Sequence, residues 1–220
     1  MRLHRSIVML ALAAIVGVGC GGEPFPATST TPRVSADPSS SLQPGLVTSA
    51  ALATVPALAS VATVPTSQGQ IFENPDPRAP CGAKIAPPRL SDAIAEFQMS
   101  TGFAFEGIAN TGAASAKRFL DANRADMRDG CPPYDSQTNQ LGVVQHVVYE
   151  GSIPLTSIAD DALAVREQVS VPGQPLVDAV EIVIRRRAVV GVFEYLGAPI
   201  SAEAVVEVAN LVARGLESVA

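Results

Sequence analysis

The residues able to do chemistry in this sequence are the cysteines Cys20, Cys81 and Cys131, the histidine His146, and the run Arg185-Arg186-Arg187. Cys20 has the most specific surroundings. Arg2 and Arg5 precede an apolar run from Ile7 to Val18, and Gly17-Val18-Gly19 stands directly before the cysteine. A basic stretch, a short apolar core and a small-residue cut site mark a secretory signal peptide. The apolar run is about 12 residues, short of the roughly 20 that span a bilayer as a helix. A cysteine just after the cut is the acyl acceptor of a bacterial lipoprotein, so the expected chemistry at Cys20 is lipidation after removal of residues 1–19. Gly17 stands where such sites usually carry Leu, and Gly17-x-Gly19 also suits a general signal peptidase. Plain secretion is therefore the alternative.

Cysteine arithmetic agrees with acylation. An odd thiol in an exported chain needs a separate fate. With Cys20 acylated, Cys81 and Cys131 are left to pair, and an oxidising compartment favours that pairing. Such a bridge closes a loop of about 50 residues, worth roughly 4 kcal/mol on the chain-entropy estimate. The other reading is two buried free thiols.

His146 lies in a Val-rich stretch, Val143 to Tyr149, and His4 leaves with the signal peptide. Catalysis or metal binding needs partners, and the chain has no second histidine nearby, no H-x-x-H pair, no G-x-S-x-G elbow and no C-x-x-C. The acids that could serve His146 in a hydrolase are Asp178 and Glu181. A half-buried structural histidine is the simpler reading, and neither a metal site nor a cofactor is expected. Asp160 and Asp161 are adjacent and so point different ways, unlike the facing carboxylates of a glycosidase; they read as the start of a strand. Asp126 to Gly130 is too sparse for a Ca²⁺ loop. Arg185, Arg186 and Arg187 suit contact with lipid headgroups or an anionic polymer, or a hairpin turn that arginines protect from edge pairing.

Charge narrows the partners. Loss of Arg2 and Arg5 takes the formal charge from −6 to −8. Nucleic-acid binding rests on neutralising phosphates with Lys and Arg, so an acidic chain opposes it. There is no Trp, and aromatic stacking platforms are few.

Three segments follow from composition. Residues 1–19 are the signal peptide. Residues 20–79 are rich in Pro, Ser, Thr and Ala and read as a flexible linker that cannot bury enough apolar surface to offset its chain entropy; within it the more apolar Leu46 to Pro65 suits one or two helical turns, which its prolines keep short. Residues 80–220 suffice for one domain with a proper core.

Within that domain, Leu90, Ala93, Ile94 and Phe97 have helical spacing, and Phe103 to Ile108 alternates as a strand. A helix is expected from Ala113 to Asp129, with Ala113, Ala116, Phe119, Leu120 and Met127 on one stripe, Gly130 closing it, and its charged residues solvated. Strands are expected at Val143–Tyr149, Ala162–Val171, Leu176–Ile184 and Ala188–Leu196, with a turn at Pro172-Gly173-Gln174-Pro175. A last helix runs from about Ala202 to Ser218, with Ser201 as N-cap and Val205, Val208, Ala209, Val212 and Leu216 buried. Strand runs flanked by helices give an α+β domain: a mostly antiparallel sheet with two or three helices packed on one face.

The helix Ala113 to Asp121, ending in Met127-Arg128-Asp129-Gly130-Cys131, resembles a helix of an actinobacterial extracytoplasmic family. That family includes the external sensor domain of PknH-type receptor kinases and related lipoproteins, in which a helix also ends at a disulfide cysteine. The hairpin around Arg185 to Val190, then Val192-Phe193-Glu194-Tyr195 and the last helix, is similar too. The resemblance covers about residues 81–220. It implies a sensing or ligand-binding domain with a central cleft. The sensor domains usually carry more cysteines, and no kinase motif is present, so kinase activity is not implied.

The expected function is a membrane-anchored, extracytoplasmic lipoprotein whose domain binds a lipid, glycan or protein of the cell envelope without chemistry. An envelope hydrolase with a cryptic site near His146 is the alternative. A protein that recruits a partner through an exposed sheet face is a third reading.

Overall fold

The computed structural model describes residues 41–58, 60–64, 92–126, 132–138, 143–170, 172–173 and 175–220. Among these residues eight strands form one sheet: β1 Ala62–Val64, β2 Ala93–Gln98, β3 Gly102–Asn110, β4 Tyr134–Thr138, β5 Val143–Ile153, β6 Asp161–Ser170, β7 Val177–Arg186 and β8 Val189–Gly197. Their spatial order is β1-β2-β3-β8-β7-β6-β5-β4, and every pairing is antiparallel. Three helices accompany it: the single turn α1 Ser49–Leu52, then α2 Ala113–Asp126 and α3 Ala202–Glu217. The domain is α+β, as the sequence leads one to expect.

The topology is two meanders joined at β3 and β8. The chain zigzags through β1, β2 and β3, then α2 carries it across one sheet face to the far edge. From β4 it zigzags back until β8 closes against β3 over the register Gly102↔Gly197 to Asn110↔Val189.

Side-chain alternation divides the sheet into two faces. The first carries Phe97, Ala104, Ile108, Ile182, Ile184 and Phe193, all buried in the core that this face shares with the apolar stripe of α3 and with residues 42–58. That stripe is Val205, Val208, Ala209, Val212 and Leu216, as expected. Ser201 caps the helix by accepting from the Ala204 N–H at 3.2 Å, and Glu203 in the first turn complements the helix dipole. The second face carries Ala109, Val183, Val190 and Val192, which pack against Ala116, Phe119 and Leu120 of α2. The helices thus lie on opposite faces, not on one as expected. The cause is connectivity: leaving the centre of the sheet for its far edge, α2 takes the side that α3 leaves free. Arg124, read as solvated, pins α2 to the sheet through Asp161 at 2.5 Å.

The largest departure is at the N-terminal side. Composition places residues 41–64 in a flexible linker, yet Leu42, Val47, Leu52, Val55 and Leu58 belong to the main core. Proline does not prevent this. Pro44 sits in the first turn of the 3₁₀ segment Gln43–Gly45, and Pro56 opens another at Pro56–Leu58. In those positions the missing N–H costs nothing. Thr48 caps α1 by accepting from the Ala51 N–H at 3.1 Å. Each buried Val or Leu contributes roughly 1.5–3 kcal/mol, so five of them hold a segment without a long helix.

The segment expected to be helical at Leu90–Phe97 is strand β2 over its described residues. Ala93 and Phe97 lie four apart, a spacing that suits one face of a helix or of a strand equally. Pairing with β3, Ala93↔Ile108 to Gln98↔Phe103, decides for the strand.

Candidate functional site

The second sheet face is where polar and apolar groups meet without being absorbed by the fold. One step beyond the valines that α2 covers, the alternation along β7 and β8 places Glu181 and Glu194 on this face, directly paired across the strands. On β6, Glu167 shares it, two residues along from Val165, which pairs with Glu181. Around this trio stand Phe105, Val147, Val169 and Leu196, all buried, and Tyr149, which packs on Leu163 and Val165. Phe103 and Phe105 meet with ring centroids 6.1 Å apart. Glu96 faces the same way from β2, opposite Phe105.

Each glutamate of the trio keeps part of its surface accessible. Protein nonetheless surrounds them closely enough that burial raises every carboxyl: Glu167 to about 7, Glu181 to about 7, and Glu194 well above its ordinary value, with the charges of Glu181 and Glu167 adding to the last. Burial also raises Glu96 and Tyr149, the latter helped by the Glu167 charge. The Oε1 atom of Glu167 is buried and meets no hydrogen-bond partner among the described residues. Like charges placed together on an apolar surface cannot all ionise cheaply. Near neutral pH this row therefore holds protons and can donate as well as accept hydrogen bonds. A carboxyl kept neutral on an apolar surface is suited to a polar group carried on an apolar body. Among the described residues no group of three or more His, Cys, Asp or Glu side chains is arranged to hold a metal ion.

His146 is elsewhere. It projects from the first face near the β4 edge, is about half exposed, and pairs through Nδ1 with Asp135 Oδ1 at 2.9 Å. Neither acid named for it is within this arrangement. Asp178 is 2 % exposed and is held by the Ile200 N–H at 3.2 Å and by Arg166, while Glu181 lies on the opposite face. Ser170 pairs across from His146, but its hydroxyl donates to the His146 carbonyl at 3.4 Å, not to the imidazole. The hydrolase arrangement is not assembled.

Arg185 and Arg186 end β7, and Arg187 enters the β7–β8 turn in the left-handed region at φ 50°. Arg185 and Arg186 both reach Asp160, at 3.8 and 3.7 Å, and Arg186 also reaches Glu217 at 3.3 Å. Arg187 donates its backbone N–H to Asp160 at 2.6 Å and its Nη1 to the Ala220 carbonyl at 3.2 Å. The run latches the turn to the start of β6 and to the end of α3, and of the three only Arg187 is exposed. Cys20, Cys81 and Cys131 lie outside the described residues, as do Met127 and Gly130.

Sequence reasoning missed the trio because each glutamate sits singly in a strand-like stretch. The available signal was an acid at an otherwise apolar alternate position in three neighbouring strands: Glu167 between Val165 and Val169, Glu181 between Ala179 and Val183, and Glu194 between Val192 and Leu196.

An antiparallel α+β domain with a carboxyl-lined apolar sheet face is the class that fold and site define. Its fold is similar to the crystal structure of the extracellular domain of PknH from Mycobacterium tuberculosis, at 11% identity and a TM-score of 0.49, over 79% of this chain and 93% of that one. A STAR-related lipid transfer protein fragment from Xanthomonas axonopodis is similar at 17% identity and a TM-score of 0.29, over 59% of this chain and 94% of that one. No protein-family model matches the chain, and no curated protein matches it. Among the described residues no helix is long and apolar enough to cross a membrane.

Proposed function

We propose that this chain is an extracytoplasmic lipoprotein, anchored through acylated Cys20, whose domain binds an amphipathic envelope ligand on the second sheet face and does no chemistry on it. The observation that carries the reading is the row Glu167–Glu181–Glu194 on an apolar surface, since strongly raised carboxyls beside apolar side chains are what binding sites, more than structural ion pairs, display. The ligand's apolar body lies along Phe105, Tyr149 and their neighbours, and a hydroxyl, amide or amine meets the glutamates. A lipid answers this description most directly, followed by a lipidated glycan. A Cys81–Cys131 disulfide belongs to the same proposal, as does headgroup contact through Arg187. From Cys20 to the first described residue, Ser41, full extension reaches at most about 75 Å.

Native mass spectrometry of the mature protein, purified from its own host with ligands retained, tests the reading. A bound amphipathic molecule is expected in the wild type. It is expected to be lost in Ala179→Trp, which fills the face two residues from Glu181, and retained in His146→Ala. A protein that carries no ligand and gains none from host lipid extract overturns the proposal. Turnover of an envelope substrate that vanishes in folded His146→Ala favours the hydrolase instead.

A further inference from the structure

A carboxylate is fully buried on the other side of the sheet, where no ligand is expected. Glu106 is 0 % exposed on the first face of β3. Its Oε2 accepts the backbone N–H of Val47 at 2.7 Å, and its Oε1 is buried with no hydrogen-bond partner among the described residues. Val47 belongs to the segment 42–58 that covers this part of the sheet. Glu106 thus makes a polar contact between that segment and β3, set among the apolar side chains of Leu42, Val47, Leu52, Val55 and Leu58.

No charge faces it. Residues 41–58 contain no titratable side chain. On β2 and β8 the residues paired with Glu106 are Ala95 and Phe193, while the acids of those strands, Glu96 and Glu194, lie on the opposite face. Tyr195 shares the first face of β8, and its hydroxyl donates to the Ala198 carbonyl at 2.7 Å. On α3 the titratable residues Glu203, Glu207, Arg214 and Glu217 are all exposed. An ionised carboxylate here would have, among the described residues, one N–H donor and no counter-charge, which a buried site does not tolerate.

We propose that residues 42–58 form a detachable strap, seated on the sheet by the protonated Glu106 carboxyl and released when that carboxyl ionises. Burial pushes Glu106 up to about 8, against the lowering effect of the Val47 hydrogen bond. Once the strap lifts, the side chain returns to water and to its ordinary value of 4.5. The seated state then binds the extra proton between those two values. Seating is strongest below pH 4.5, weakens as pH rises, and reaches its floor near 8. With one proton of difference, the opening equilibrium constant rises about tenfold per pH unit across that window. The device goes beyond ligand binding, because strap and carboxyl row occupy opposite faces of the sheet.

Hydrogen exchange of the full mature chain, read by mass spectrometry from pH 5 to 8 and corrected for intrinsic exchange, tests it. In the wild type, opening of peptides covering 42–58 is expected to rise about tenfold per pH unit, while the β7–β8 hairpin, whose own carboxyls act only through global unfolding, stays better protected than the strap at every pH. Glu106→Gln and Glu106→Leu are expected to abolish the slope. A pH-independent wild-type strap, an equal loss of protection in strap and hairpin, or the same slope in either variant overturns the proposal. If neither variant folds, the wild-type slope and the hairpin comparison still decide it.

Discussion

Arg166 and Asp178 grip the two backbone polar groups of one residue. Asp178 accepts the Ile200 N–H at 3.2 Å, Arg166 donates to the Ile200 carbonyl, and the two side chains pair at 3.5 Å. Ile200 immediately precedes the N-cap of α3, so this clamp fixes how the helix enters the sheet. Removing one partner leaves a buried charge unpaired, which costs about 3–5 kcal/mol. Asp178→Ala is expected to lose that much in urea unfolding. The double variant Arg166→Met/Asp178→Leu is expected to lose less than the single one, and an additive loss would contradict the clamp.

Gly215 is a second point of tight fit. A Cβ added there would meet the Gly45 carbonyl oxygen at 2.0 Å. Replacing a helical glycine with alanine ordinarily stabilises by roughly 0.5–1 kcal/mol. Gly215→Ala is expected to destabilise instead and to expose the 42–58 segment to limited proteolysis. A raised melting temperature would show that the close approach is absent in solution.

The carboxyl row predicts a pH dependence of stability. Glu167, Glu181 and Glu194 are raised in the folded protein, so the folded state binds more protons than the unfolded one above the ordinary glutamate value. Stability from these groups is complete below that value and is lost as pH rises through about 7 for Glu167 and Glu181. Urea midpoints of the wild type are expected to fall from pH 5 to pH 8. Those of Glu181→Gln/Glu194→Gln are expected to fall less. Equal slopes would mean that the row is ionised without cost.

The cysteines give a prediction read by mass alone. Alkylation before and after reduction is expected to label Cys81 and Cys131 only after reduction, and the mature N-terminal residue is expected to carry acyl chains. Cys20→Ala is expected to leave the precursor unprocessed or release the protein into the medium. Free Cys81 and Cys131 thiols in the native protein, or an unchanged detergent partition of Cys20→Ala, would overturn the corresponding assignment.

Strands β3 and β5 to β8 and the helices α2 and α3 were legible because their patterns are long and unambiguous: alternation at Phe103 and Phe105, and a clean stripe from Val205 to Leu216. Strand β4, Tyr-Asp-Ser-Gln-Thr, was not, because an edge strand paired only to β5 needs little apolar character. The helix expected before Phe97 failed on a spacing that both periodicities share. For residues 41–64 the short helical turn was legible but the burial was not, because composition counts prolines without their positions, and Pro44 and Pro56 start turns where they break nothing. The carboxyl row was illegible for another reason. Glu167, Glu181 and Glu194 are neighbours only through strand register, which no local stretch of sequence states.

The burial of residues 42–58 also sets when the domain can finish folding. The Ser218 hydroxyl reaches the Pro44 carbonyl across 174 positions, and Gly45 rests against Gly215. Closing such a loop costs on the order of 4–5 kcal/mol of chain entropy, recovered only when α3 is present to receive the segment. Contacts this distant in sequence belong late in folding. A chain synthesised from its N-terminal end therefore keeps the apolar residues of 42–58 without their α3 partner until α3 has emerged. For the exported chain proposed above, that delay would keep the domain unfinished until its whole sequence is available.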